Sequence, residues 1–189
     1  MSDRFHSFQT EHGFVAIAWN AGGAITALRL PSASAAEAER AVRRRLPDAV
    51  PGEPSASIAA AIGAIRRYFE GEAVAFTDLP LDLGAQSPLF TRIYAEVRAL
   101  GWGESTTYGA VAKAIGAGPE VARDVGQAMA GNPVPLIIPC HRVLAAGRRI
   151  GGFSAPGGSH AKARMLELES VAVDQPEPAR PSPQTSFGF

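Results

Sequence analysis

The sequence holds a single cysteine, Cys140, in 189 residues. That excludes an internal disulfide, and also a zinc site built on several thiolates. No apolar run reaches the roughly 18 residues that a membrane-spanning helix needs. Residues Met1 to Thr10 are polar and lack the charged-then-apolar layout of a secretory leader, so a soluble cytoplasmic protein is expected. Net charge is missing too, since 18 basic residues balance 18 acidic ones. This argues against a protein that holds nucleic acid through its overall field. The balance is uneven along the chain. Residues 1–85 carry 8 Lys/Arg and 10 Asp/Glu, residues 86–170 carry 9 and 6, and residues 171–189 carry 1 and 2. The mildly basic middle can meet a few phosphates.

What is present is an ordinary core composition, 46% hydrophobic, enough for one large or two small domains. Phe14 to Trp19 is an apolar run, Asn20-Ala21-Gly22-Gly23 supplies a turn, and Ala24 to Leu30 alternates at period two, which reads as a hairpin. Ser34 to Leu46 has helical composition. Ile58, Ile62, Ile65 and Phe69 fall at helical spacing. Val74 to Leu83 reads as a strand leading into a linker. Further on, Ser87 and Pro88 form a helix start, with Leu89, Ile93, Val97 and Leu100 on one face. Thr106 or Thr107 caps a short helix from Tyr108 to Ile115. Pro119 opens another that runs through Met129 to a stop at Gly131. Two short helices around Gly116-Ala117-Gly118 make a helix-turn-helix candidate, although such pairs are more often plain packing. Leu136-Ile137-Ile138 reads as a buried extended segment, and Ala161 to Glu169 as a final helix with Ala161, Met165 and Leu168 facing inward. Val171 to Phe189, with four prolines and no helical period, is expected to be disordered.

A lone cysteine is usually a small buried hydrophobe. The surroundings of Cys140 argue otherwise. A thiol attacks well only as thiolate, and His141 and Arg142 place a base and a fixed positive charge within two residues of it, behind the stiff Pro139.

The run from Asn132 through Pro139-Cys140-His141-Arg142 to Val143 resembles the active-site segment of the O6-alkylguanine-DNA alkyltransferases. The resemblance covers Pro88 to Glu169, taking in the Thr107-Tyr108 helix start, Arg123, Gly151-Gly152-Phe153-Ser154 and the closing helix. Residues 1–85 resemble the family in layout only. The implied fold is α+β: an N-terminal sheet-and-helix domain of ribonuclease-H-like layout (1–85), a mostly helical DNA-binding domain with a helix-turn-helix (86–170), and the tail (171–189).

The resemblance also implies roles. Cys140 is the alkyl acceptor, His141 the base acting through a water, Glu169 its orienting carboxylate, and Asn132 the residue that pins the turn presenting the thiol. Arg123 replaces a flipped nucleotide, and Tyr108 presses on the flanking phosphate and donates to guanine N3. Ala122, Gly126 and Ala128 let the recognition helix approach the backbone closely, and Arg142 is counted with the DNA contacts. In the base pocket the carbonyls of Cys140 and Val143 accept from the guanine amine and the Ser154 amide donates to O6. Phe153 walls the ring, and Gly151 and Gly152 give it room. Without the resemblance, Glu169 reads as a solvated helix-end carboxylate and Asn132 as a helix-ending residue. Tyr108 then reads as a core aromatic and Arg123 as a surface ion-pair partner.

The implied activity is one irreversible alkyl transfer per molecule from O6-alkylguanine, and from O4-alkylthymine as a second candidate, in double-stranded DNA. The expected protein is a monomer with no cofactor and no metal. Glu120 and Asp124 on the recognition helix, and Ala130 where relatives can carry Arg, weaken the expected grip on phosphates. Gln184 to Phe189 resembles the short peptides that dock on bacterial sliding clamps. Two other classes fit a Cys-His pair or a DNA-binding fold: a hydrolase, for which no oxyanion hole is legible, and a pure lesion-binding module, which would lack the acceptor cysteine.

Overall fold

The computed structural model describes residues 2–173. The expected tail from residue 174 on, with its clamp-like peptide, lies outside the described residues, whereas its first residue, Val171, is buried against Leu144 and Leu166 rather than disordered. No helix among them is long and apolar enough to cross a membrane.

Three antiparallel strands, β1 (Arg4–Thr10), β2 (Gly13–Trp19) and β3 (Ile25–Ser32), open the chain. Asn20 makes the β2–β3 turn by accepting from the amides of Gly22 and Ala24 through its side chain. Helix α1 (Ala35–Arg45), capped by Ser34, returns the chain to a two-residue β4 (Val50–Pro51) parallel to β1, giving the order β3-β2-β1-β4. Apolar side chains sit on both faces of this sheet. Phe5, Ala16, Ala18 and Ala27 meet α1, whereas Val15, Ile17, Trp19 and Leu28 join the main core. The central strand is therefore buried from Val15 to Trp19 and shows no alternation.

Helix α2 (Ala56–Phe69) packs Ile58, Ile62 and Ile65 into that core. The strand expected over Val74 to Leu83 is not formed. Only Leu81 bridges to Ile25, and the carbonyls of Phe76, Thr77 and Leu79 are taken by Arg98 Nη2 at 3.3, 2.8 and 2.5 Å. A guanidinium satisfies backbone groups that a ladder would otherwise have to pair.

Helix α3 (Pro88–Arg98) starts as expected, with Ser87 capping the Phe90 amide. A short β5 (Thr106–Thr107) leads into α4 (Tyr108–Ala114), capped by Thr107. A 3-10 turn over Pro119–Val121 precedes α5 (Ala122–Ala130). A second 3-10 turn, Cys140–Arg142, runs into β6 (Val143–Leu144), which pairs with β5, and a third covers Ala146–Arg148. The last helix, α6 (Gly158–Leu168), begins three residues before the sequence pattern does. Its inward face keeps the expected Met165, with Leu168 half-buried against the core, and adds Lys162 and Leu166.

The main core is continuous across residue 85, joining β2, β3 and α2 to α3, α4, α5 and the cysteine loop. The loop is docked on the open edge of the sheet, where the Leu28 amide donates to the Pro133 carbonyl at 3.0 Å. Leu136-Ile137-Ile138 is buried as expected but is not extended. The Ile138 amide turns back onto the Val134 carbonyl, and Leu136 sits at φ 77°. Pro133, Pro135 and Pro139 bring no N–H to a ladder, so the segment coils on itself. Such a backbone angle on a non-glycine residue costs on the order of 1–3 kcal/mol and persists only where its surroundings impose it.

Candidate active site

The cysteine loop is held by Asn132. Its side-chain amide donates to the Ile138 carbonyl at 2.8 Å, and its oxygen accepts from the Val134 amide at 3.0 Å. Asn132, two residues past the end of α5, thereby fixes both sides of the turn that presents Cys140. Cys140 is only 4% exposed. Burial pushes the thiol up, and the Asn132 amide, the Lys162 charge and the backbone amides of Cys140 and His141 pull the other way. The thiol lines a cleft of about 1420 Å³ whose walls include Met129, Phe153 and Ser154.

Behind the thiol lies a buried polar cluster. His141 Nε2 lies 2.7 Å from Glu169 Oε1, and both side chains are completely enclosed. Tyr68 donates to the same oxygen at 2.7 Å and lies 3.3 Å from His141 Nε2. Arg142 grips both oxygens, through Nε at 2.8 Å and Nη2 at 2.9 Å, and reaches the Leu100 carbonyl with Nη1. The Gly103 amide adds a bond at 3.3 Å. Burial by itself would raise the Glu169 carboxyl. The hydrogen bonds from His141 and Arg142 outweigh it and bring the value down to about 2. For His141, burial outweighs the Glu169 charge and lowers the imidazole from its usual value. At neutral pH the pair is thus a neutral imidazole beside a carboxylate. The carboxylate needs the proton on Nε2, which leaves Nδ1 as the basic nitrogen. Nδ1 is buried and has no hydrogen-bond partner among the described residues.

On the other side of the thiol, Lys162 is 1% exposed and donates to the Val143 carbonyl at 2.6 Å. Its ammonium lies 5.7 Å from the centre of the Tyr108 ring and 5.9 Å from that of Phe153. Burial lowers the ammonium to about 8. Tyr108, the first residue of α4, also lies against Gly151, where an added Cβ would stand 2.9 Å from the phenol oxygen. Gly152 is exposed, and the Ser154 hydroxyl is bonded to the Ala130 carbonyl at 3.0 Å.

Cys140, His141, Glu169, Asn132, Tyr108, Val143, Gly151 and Phe153 therefore gather in one region. Two expected DNA contacts do not face solvent. Arg142 is 4% exposed, because both ends of its guanidinium are used by Glu169 and by the Leu100 carbonyl. Ala128 is fully buried where α5 meets α3, its carbonyl accepting from Tyr94 at 2.9 Å. Arg123 is exposed, and Ala122 and Gly126 are half-buried on the outer side of α5. One carbonyl lone pair of Val143 is already engaged by Lys162, which leaves the other for a ligand.

Two residues of the site were not read from the sequence. Tyr68 lies three after Ile65 on the apolar stripe of α2, and a buried tyrosine hydroxyl needs a partner. Lys162 stands three, four and seven residues before Met165, Leu166 and Glu169, which is one helix face. Both spacings were visible; what they meant depended on which face was inward.

Residues 88–171 match the family model described as 6-O-methylguanine DNA methyltransferase, DNA binding domain. A DNA base-flipping protein of Thermus thermophilus is 40% identical over 120 residues, which are 62% of this chain and 80% of that protein. A methylated-DNA--protein-cysteine methyltransferase of Metallosphaera sedula is 42% identical over 109 residues, 58% of this chain. The match spans 65% of the Metallosphaera protein's own length, just under two thirds. The crystal structure of Mycobacterium tuberculosis OGT in complex with DNA superimposes with a TM-score of 0.70 at 30% identity, covering 88% of this chain and 92% of that one. The chain belongs to the family of O6-methylguanine-DNA methyltransferases.

Proposed function

We propose that the protein repairs O6-alkylguanine in double-stranded DNA by moving the alkyl group onto Cys140, once per molecule. One observation carries the reading: a cysteine on the wall of a cleft, with a neutral histidine behind it whose free nitrogen is poised as a base. His141 takes the thiol proton through a water while Glu169 holds Nε2–H. The sulfur lone pair then forms the S–C bond, the C–O6 bond breaks, and its electron pair stays on the guanine, which takes up the proton. Tyr108 and the Ser154 amide stabilise the leaving base. The product thioether has no acyl carbon for water to attack, so no second turnover follows, and no cofactor enters the balance.

The target must leave the duplex to reach the thiol, at a cost of a few kcal/mol. In this reading α4 and α5 act as the helix-turn-helix, with Arg123 filling the gap and Ala122 and Gly126 allowing close approach from the minor groove. The unit over residues 86–170 carries this chemistry, and residues 1–85 support it through Tyr68. The protein works as a cytoplasmic monomer. O4-alkylthymine is the second substrate to try. The peptide Gln184 to Phe189 contacts a sliding clamp, which a pull-down with Phe187→Ala and Phe189→Ala checks.

The decisive experiment is intact-protein mass spectrometry after incubation with methylated-guanine duplex. The expected result is one alkyl adduct on Cys140 and a restored guanine. A gel shift with unchanged protein mass would instead make the chain a binding module. Multiple turnovers without an adduct would make it a hydrolase.

A further inference from the structure

The cleft that contains Cys140 is lined on its far wall by the N-terminal half of the chain. Although the whole chain is neutral, the cleft is not. Arg29, Arg40, Arg44, Arg45 and Arg164 line it against a single acid, Glu37. The Glu37 carboxylate is engaged at the start of α1, where it accepts from the Ala33 amide. None of Arg29, Arg40, Arg44 or Arg45 takes part in an ion pair among the described residues. Arg29, half-buried on β3, has its Nε enclosed without a hydrogen-bond partner among the described residues. Burial, and then the charges of Arg45 and Arg44, lower it to about 10, so the three guanidinium groups stand close enough to repel. Positive charge in the last turn of α1 suits the helix dipole, which accounts for arginines there but not for Arg29. A half-buried, unpartnered cation beside two others is costly unless an anion completes it.

The expected DNA-reading helix has the opposite problem. Around Arg123 it carries Glu120 and Asp124, and Ala130 closes it. It offers little charge to a polyanion.

We propose that Arg29, Arg44 and Arg45 form a second DNA contact, a phosphodiester clamp on the N-terminal wall of the Cys140 cleft. It supplies the positive charge that the recognition helix lacks. This rests on the DNA-repair reading, but it is measured independently of transfer. Guanidinium forks match phosphate oxygens in pairs, so they suit a backbone phosphate better than a diffuse field would.

The test compares the full chain with the double variants Arg44→Gln/Arg45→Gln and Arg44→Lys/Arg45→Lys. Both positions are exposed on α1, outside the transfer machinery. Binding of an undamaged fluorescent duplex is followed by anisotropy across a salt series. Losing two phosphate contacts should lower the log–log salt slope by about 1.8, equivalent to roughly 60-fold weaker binding at 0.1 M salt if the curves converge near 1 M. The lysine pair should keep most of the slope. Transfer to Cys140 from free O6-benzylguanine, which carries no phosphate, should stay at the parent rate in both variants. An unchanged slope in the glutamine pair overturns the clamp. So does thermal stabilisation by inorganic phosphate that needs these arginines while duplex binding ignores them, because the site would then hold a small anion. If the parent chain binds duplex with the expected slope but Cys140 takes no alkyl group from either donor, the repair reading falls and the clamp stands.

Discussion

Glu169→Gln keeps the size of the side chain and removes its charge. In the parent the carboxylate is 2% exposed and accepts from His141, Arg142 and Tyr68. Its value is held at about 2 against an ordinary 4.5. At about 1.36 kcal/mol per pH unit, the folded state favours the ionised form by about 3 kcal/mol. A second route agrees: leaving a buried guanidinium such as that of Arg142 without its partner costs about 3–5 kcal/mol. Because the folded value lies below the unfolded one, the stabilisation is complete above the unfolded value and is lost as the pH falls from 4.5 toward 2. Urea titrations at pH 7 should place the variant about 3 kcal/mol below the parent. The gap should close in acid, where the parent carboxyl is itself protonated. A difference under about 1 kcal/mol at neutral pH, or one that stays constant down to about pH 2.5, refutes the reasoning.

Two further outcomes follow from the same site. Lys162→Met removes the cation that pulls the Cys140 thiol down, so the rate of alkylation by a small neutral reagent should rise with pH along a curve displaced to higher pH; a superimposable curve would show that the ammonium does not act on the thiol. Gly151→Ala places a methyl 2.9 Å from the Tyr108 phenol oxygen, so the ring must move. Transfer from alkylated duplex should drop at least several-fold while the melting midpoint stays within a few degrees, and parent-like transfer would mean that Tyr108 is not needed in place.

Local chemistry carried much of this protein. The caps at Ser34, Ser87 and Thr107, the Asn20 turn and the apolar spacing of α2 and α3 are short-range effects, and each appears where the residues put it. The run Pro139-Cys140-His141-Arg142 likewise marked Cys140 and His141 as a candidate nucleophile and base. Other features depended on partners distant in sequence. Val74 to Leu83 has strand composition, yet Arg98 collects its carbonyls from a helix some twenty residues on, and no ladder forms. Arg142 stands beside the cysteine like a DNA ligand. Only the fold shows Glu169 closing on it from 27 residues away, which turns a surface cation into part of the interior. Tyr68 reaches the same carboxylate across 101 residues. The sequence by itself determined which residues could be helix, turn, nucleophile and base, because those properties depend on neighbours within a few positions. Tertiary structure alone decided which way α6 faces, so that Lys162 enters the site, and which wall the α1 arginines present to the cleft. A side chain's exposure and its charge partners are set by the elements that pack over it, and those come from anywhere along the chain.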